Sequence, residues 1–112
     1  MTQVMKYKGF KINSIKDKES DRIIIDIEGD IGINYIDKVK TRIEKLSFDG
    51  DEIVFDLTKT ETVDLSSIQL LYAIRKNLSG EGKSMNIISS DEIKVIYLLE
   101  RTGFRELLTT RI

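Results

Sequence analysis

The chain has 112 residues, of which 40% are hydrophobic and 33% are charged, and its 18 Lys and Arg residues nearly balance 19 Asp and Glu residues. This size and composition fit a single soluble domain over residues 1–112, and the balanced charge argues against a nucleic-acid binder. The absence of Cys and His excludes disulfides and Cys-ligated zinc, and it removes the commonest general base.

The N-terminal segment, MTQVMKYKGFK, lacks the continuous apolar stretch of a signal peptide. No apolar run reaches the length of about 18 residues that a membrane span needs. We therefore expect a cytoplasmic protein without membrane contact. The next segment, GFKINSIKD at 9–17, predicts an edge strand, and KDKESD predicts a turn. The β-branched run in RIIIDIEGD, at 22–30, predicts a central strand buried on both faces.

Two helices and a strand are predicted in the middle of the chain. The first helix is indicated by apolar residues at intervals of three and four: Ile36, Val39, Ile43 and Leu46. Asn34, with Asp37 three residues later, is expected to cap its start. EIVFDL, at 52–57, predicts a short strand. A second apolar stripe then predicts a helix through Ile68, Leu71, Ile74 and Leu78.

The C-terminal part predicts one more strand and one more helix. MNIIS, at 85–89, is typical of a buried strand, and Ser89 with Glu92 forms a capping-box pattern for the helix DEIKVIYLLERT. Gly103 suits the end of that helix, and FRELL predicts a last short strand or turn. The fold class is therefore α/β: a small, mostly parallel sheet with an N-terminal antiparallel hairpin and about three crossover helices.

The segment ETVDLSSIQLLYAIRKNL, at 61–78, starts a helix with polar residues after a predicted loop of roughly seven residues. Asp64 or Ser66 can serve as its N-cap, since Asp and Ser are preferred there. A Ser at a helix N-terminus is also a favourable position for a phosphate, because the exposed N–H groups and the helix dipole stabilise negative charge. Asp64 would oppose that charge. The two interpretations remain open at this point.

Catalysis finds little support in the sequence. Ser66 and Ser67 have no His to activate them, and no G-x-S-x-G motif surrounds them. The glycine-containing stretch SGEGKS is shorter than a phosphate-binding Walker loop and follows a helix instead of preceding one. We therefore expect no catalytic residues, no metal site and no cofactor.

Several segments together resemble the STAS domain family, which includes bacterial anti-sigma factor antagonists and the cytoplasmic tails of sulfate transporters. They are RIIIDIEGDI, EIVFDLTKTETVDLSSIQLLYAIRKNL, KSMNIIS and VIYLLERTGFRELL. The resemblance implies a binding switch and not an enzyme. In such antagonists, the loop and the start of the second helix dock onto an anti-sigma factor kinase. That kinase phosphorylates the Ser directly after the Asp of the family motif D-S-S-G, and this phosphorylation abolishes binding.

The family motif D-S-S-G falls on residues 64–67, so the acceptor position is occupied by Leu65, which has no hydroxyl. The Asp that often follows the second strand in the family falls on Gly32. Ser66 is the first remaining candidate acceptor and Ser67 the second. The resemblance further implies a partner-binding surface formed by Asp30, Thr58, Asp64, Leu65, Ser66, Ser67 and Gln69.

Three functions follow as hypotheses. An anti-sigma factor antagonist is the first. A chemotaxis-linked STAS regulator or scaffold is the second, because the stretch QLL, at 69–71, is similar to that branch. A small nucleotide-binding or phosphotransfer protein is the third.

Overall fold

The computed structural model describes residues 9–89, which form a four-stranded mixed sheet and two helices. The sheet has the order β1-β2-β3-β4, in which β1 and β2 pair antiparallel and the other neighbours pair parallel. This arrangement confirms the predicted fold class. The predicted third helix, Glu92 of its capping pair, Gly103 and the final strand or turn lie outside the described residues. The elements are β1 Phe10–Asp17, β2 Arg22–Asp30, α1 Ile36–Glu44, β3 Glu52–Thr62, α2 Leu65–Gly80 and β4 Ser84–Ile88.

The strand β2 is buried on one face only, so the prediction of burial on both faces is wrong. Ile23, Ile25 and Ile27 belong to the core, whereas Ile24 on the opposite face is half-buried. The difference arises because both helices pack on the same face of the sheet. The core there also contains these residues from α1 and α2: Val39, Ile43, Ile68, Leu71 and Leu78.

The start of α1 differs from the sequence-based expectation. Tyr35, and not Asn34, is the N-cap residue, and no side chain caps the helix. The backbone enters the helix through a tight turn in which the Tyr35 N–H donates to the Gly32 carbonyl at 2.9 Å. This turn leaves Asn34 exposed before the helix begins. At the other end of α1, Arg42 Nη2 donates to the Ile12 carbonyl of β1 at 2.9 Å.

The strand β3 is longer than EIVFDL, since it continues to Thr62. Its polar second half pairs with the end of β2 through two register irregularities. The Thr60 hydroxyl donates to the Ile27 carbonyl at 2.9 Å, and the Ile31 N–H donates to the Thr62 carbonyl at 3.1 Å. The predicted seven-residue loop is therefore wrong, and only Val63 and Asp64 separate β3 from α2.

The helix α2 carries the predicted apolar stripe against the sheet. Ile68, Leu71 and Leu78 are buried, and Ile74 packs on the core while half-buried. Beyond the helix, Gly82 has a φ of +79°, which glycine adopts without strain. The turn returns the chain to β4, whose Met85 and Ile87 complete the core.

Candidate functional site

The candidate site lies where β2 and β3 end, because the carboxyl ends of parallel neighbours share one edge of a sheet. After β2 the chain turns through Gly32 and Ile33 into α1. After β3 it passes through Asp64 into α2. The long pairing of β2 with β3 brings these two turns together, although they are far apart in the sequence.

Asp64 is the N-cap of α2, which confirms one of the two capping residues that the sequence suggested. Its backbone is extended, with φ −134° and ψ −170°. Its Oδ1 accepts from the Ser67 N–H at 3.3 Å, and the Ser67 hydroxyl in turn accepts from the Asp64 N–H at 3.2 Å. This reciprocal capping box satisfies two backbone donors that the first turn would otherwise leave unpaired.

The second carboxylate oxygen of Asp64 fixes the neighbouring turn. Its Oδ2 accepts from the Ile33 N–H at 2.8 Å. Burial disfavours the charged carboxylate, but the hydrogen bonds from Ser66, Ile33 and Ser67 outweigh this, so the pKa of Asp64 lies below its ordinary value of 3.8. The anionic form of Asp64 therefore holds the 31–33 turn and the start of α2 together.

The two candidate phosphoacceptors differ in accessibility. The Ser67 side chain is only 1% exposed, and its hydroxyl donates to the Ile31 carbonyl at 2.6 Å. Ser66 is half-buried, and its hydroxyl donates to Asp64 Oδ1 at 2.6 Å. This geometry favours Ser66 over Ser67 as an acceptor, because a kinase needs to reach the hydroxyl. Phosphorylation of either residue stays a prediction.

Gly32 occupies the position where the family often has Asp, and the structure gives a physical reason for the difference. A Cβ at residue 32 would lie 2.7 Å from Asp64 Oδ2 and 3.1 Å from Asp30 Oδ1. Asp30 Oδ1 already accepts from the Gly32 N–H at 2.8 Å. Two carboxylates therefore occupy the space that a side chain at position 32 would need.

Apolar side chains flank Asp64 on the surface. Ile33 is 67% exposed and Leu65 is 48% exposed, and both belong to a shallow depression of ≈ 330 Å³. We call this surface the docking patch; its lining residues are Ile33, Asp64, Leu65, Ser66 and Gln69. Large exposed apolar side chains that lie together commonly mark an interaction surface.

The docking patch contains four of the predicted partner-binding residues, and it adds Ile33. The sequence contains one signal for Ile33, because this isolated Ile in the segment GINYID belongs to no predicted apolar stripe. Asp30 lies beside the patch through its bond to Gly32, and Ser67 lies beneath it. Thr58 is not among the lining residues, and its hydroxyl donates to Asp56 Oδ1 at 2.7 Å.

Within residues 9–89, no group of three or more His, Cys, Asp or Glu side chains is arranged to hold a metal ion. Neither of the helices in that part of the chain has the length and apolar character to cross a membrane.

The family model of the STAS domain matches residues 14–111. The chain belongs to the STAS domain family. No curated protein shows significant similarity to this STAS domain. Among solved structures, an anti-sigma factor antagonist from Mycobacterium paratuberculosis aligns with a TM-score of 0.76 at 13% identity, over 93% of this chain and 87% of that one.

The anti-sigma factor antagonist SpoIIAA has also been solved in two forms. Its unphosphorylated form aligns with this STAS domain with a TM-score of 0.68 at 12% identity, over 92% of this chain and 87% of that one. Its phosphorylated form, described as a Bacillus cell fate determinant, aligns with a TM-score of 0.61 at 11% identity, over 92% and 90%. At these identities the likeness shows the shared fold.

Proposed function

We propose that this STAS domain acts by binding a protein partner through the docking patch, as an anti-sigma factor antagonist of a bacterial cell, and that it has no enzymatic activity. The main support for this proposal is that the exposed side chains of Ile33 and Leu65 flank the Asp64 carboxylate, which hydrogen bonds hold in place. Apolar anchors beside a fixed charge suit a protein interface, because the anchors supply affinity and the charge selects the partner. The similarity of the fold to two solved anti-sigma factor antagonists supports this role.

Binding can be tested by affinity capture from the source cell followed by mass spectrometry. Ile33→Ser should abolish capture of an anti-sigma factor. Ile15→Ser is the matched control, because Ile15 is the remaining large apolar side chain that is exposed among residues 9–89, and it lies on β1 outside the docking patch. If both variants captured the anti-sigma factor equally, the proposal that the partner binds through the docking patch would be wrong. Capture of a chemotaxis protein instead would support the second hypothesis.

Control of binding by phosphorylation is proposed for Ser66. A phosphate there adds about −1.5 to −2 charges. The Ser66 hydroxyl lies 2.6 Å from Asp64 Oδ1, so the modification would replace a donor with an anion beside a carboxylate. The N–H groups of the first turn favour the phosphate, whereas Asp64 and an apolar partner surface oppose it. The modified domain would therefore fold but release its partner.

The acceptor can be identified with the captured partner, if it is a kinase, and labelled ATP. Ser66→Ala should abolish labelling, and Ser67→Ala should serve as the comparison, although it also breaks the capping box. Leu65→Ser restores a hydroxyl at the family acceptor position and should gain labelling. If wild type is not labelled and Leu65→Ser is, the natural protein binds without phosphorylation control. That outcome would favour the chemotaxis-linked regulator or scaffold.

A further inference from the structure

A second surface lies at the opposite end of α2, where the C-terminal turns of α1 and α2 approach each other. Among the described residues it forms a groove of ≈ 210 Å³. The floor is apolar: Ile43 and Leu78 belong to the buried core, and Phe48 and Ile74 are half-buried against it. The groove thus presents apolar surface at its floor without being filled by a side chain of residues 9–89.

The rim of the groove is acidic. Glu44 is the last residue of α1 and Glu81 is the C-cap of α2, and both are exposed lining residues. The last turn of α2 has no basic side chain to offset the negative end of its dipole. Neither glutamate forms an ion pair within the described part of the chain.

The cations nearby in sequence do not line the groove. Lys45, the C-cap residue of α1, belongs to a different depression together with Asp37 and Thr41. Arg42, in the last turn of α1, donates to the Ile12 carbonyl at 2.9 Å. Lys83 Nζ donates to the Gly50 carbonyl at 2.8 Å. Lys76 lies over the ring of Tyr72, with its Nζ 5.9 Å from the ring centroid. The groove therefore combines an apolar floor with a rim on which both charged lining residues are acidic.

We propose that this acidic groove binds a segment of a partner protein that presents an apolar side chain beside Lys or Arg, as an amphipathic basic helix does. The apolar side chain would cover the floor at Ile74 and Phe48. The cation would meet Glu44, Glu81 and the carbonyl end of α2, where positive charge is favoured.

This inference goes beyond the proposed antagonist role, because the acidic groove and the docking patch are separate. The helix α2 has 16 residues and is therefore about 24 Å long. The docking patch lies at its first turn and the acidic groove at its last. The domain could then hold two partners at once, one at each end of a single helix.

The test uses the full chain, labelled with ¹⁵N, and two short synthetic amphipathic helices. One contains Leu and Lys, and the other has Glu in place of every Lys. The Leu/Lys peptide should shift the amides of residues 43–48 and 74–81, and the Leu/Glu peptide should not. Glu44→Gln and Glu81→Gln should each weaken binding about two- to fivefold, the effect of losing one exposed ion pair.

Glu61→Gln is the matched control, because Glu61 is exposed near the end of β3, away from the groove, and the substitution removes the same charge. The Ile33→Ser variant should bind the Leu/Lys peptide like wild type, which separates this result from a failure of the docking patch. The proposal is overturned if the Leu/Lys peptide does not bind or binds elsewhere. It is also overturned if the Leu/Glu peptide binds equally, or if the Glu44 and Glu81 variants bind like wild type. If the same amides shifted when only the protein concentration was raised, a second copy of the chain would be the occupant of the groove. That result would also overturn the proposal.

Discussion

The carboxylate of Asp64 accepts a hydrogen bond from the Ile33 N–H at 2.8 Å, although the two residues are 31 positions apart in the sequence. The same carboxylate caps α2. One side chain thus sets both the start of the helix and the position of the exposed Ile33 beside it. The docking patch depends on this single anion.

Substitution of Gly32 tests how tightly the two turns are packed. A Cβ there would lie 2.7 Å from Asp64 Oδ2, so Gly32→Ala should lower the free energy of unfolding by about 1–3 kcal/mol in urea melts. Gly80→Ala is the matched control, because its Cβ would meet nothing within 4 Å, and it should be neutral or stabilising by up to about 1 kcal/mol. In an Asp64→Ala background the effect of Gly32→Ala should shrink. If Gly32→Ala lowered the free energy of unfolding equally in the wild-type and Asp64→Ala backgrounds, Asp64 would not be the group that a Cβ at position 32 meets.

The ionisation of Asp64 predicts a pH-dependent stability. Its pKa is lower in the folded chain than the ordinary value of 3.8, so the charged form stabilises the fold above that value. This contribution should be lost as the pH falls from about 4 through the folded-state pKa. The difference in unfolding free energy between wild type and Asp64→Asn should therefore be largest near neutral pH and should decrease in acid. A difference that is constant from neutral pH to below 3.8 would show that the charge contributes nothing.

Leu71 provides a test of the packing of α2. Its side chain is buried against the sheet, so Leu71→Ala should destabilise the domain by about 2–5 kcal/mol. Gln69→Ala, on the exposed side of the same helix, should change stability by no more than about 0.5 kcal/mol. Urea denaturation of both variants measures the contrast. A loss under about 0.5 kcal/mol for Leu71→Ala would mean that α2 is rotated away from the core.

A charge at Ser66 should affect binding more than folding. Ser66→Asp places a carboxylate in the first turn, where the helix dipole favours it and Asp64 opposes it. We expect the free energy of unfolding to stay within about 1 kcal/mol of wild type and partner affinity to fall, because an unpaired charge is penalised at an interface. Ser66→Asn is the uncharged control and should bind more tightly than Ser66→Asp. If wild type and Ser66→Asp bound the partner with equal affinity, the start of α2 would act only as a helix cap and charge at Ser66 would not control binding.

Apolar spacing predicted the stripe of α2, and short apolar runs predicted the strands β2 and β4. The capping role of Asp64 follows from its residue type. The second half of β3 was missed because its stability comes from backbone pairing with β2 and from the Thr60 hydroxyl, neither of which leaves an apolar pattern.

The docking patch could be predicted only in part. Four of its residues are near one another in the sequence, so a single segment was enough to predict them: Asp64, Leu65, Ser66 and Gln69. Ile33 joins them through a long-range hydrogen bond, and its position depends on the length of β3. The cap of α1 was misplaced for a similar reason, since the turn at Gly32 is set by contacts with Asp30 and Asp64 and not by Asn34.

The hydrogen bond from Arg42 to the Ile12 carbonyl affects the exposed edge of the sheet at the strand β1. The Asp30 N–H donates to the Gly9 carbonyl, and antiparallel strands alternate inward and outward groups, so the Ile12 carbonyl faces away from β2. An outward carbonyl on an edge strand is a template for pairing with a foreign strand, which can lead to aggregation. Arg42 occupies that acceptor with a charged side chain from α1. An approaching strand would have to displace the Arg42 guanidinium and bury it or leave it unpaired, so a helix residue protects this acceptor of the strand β1.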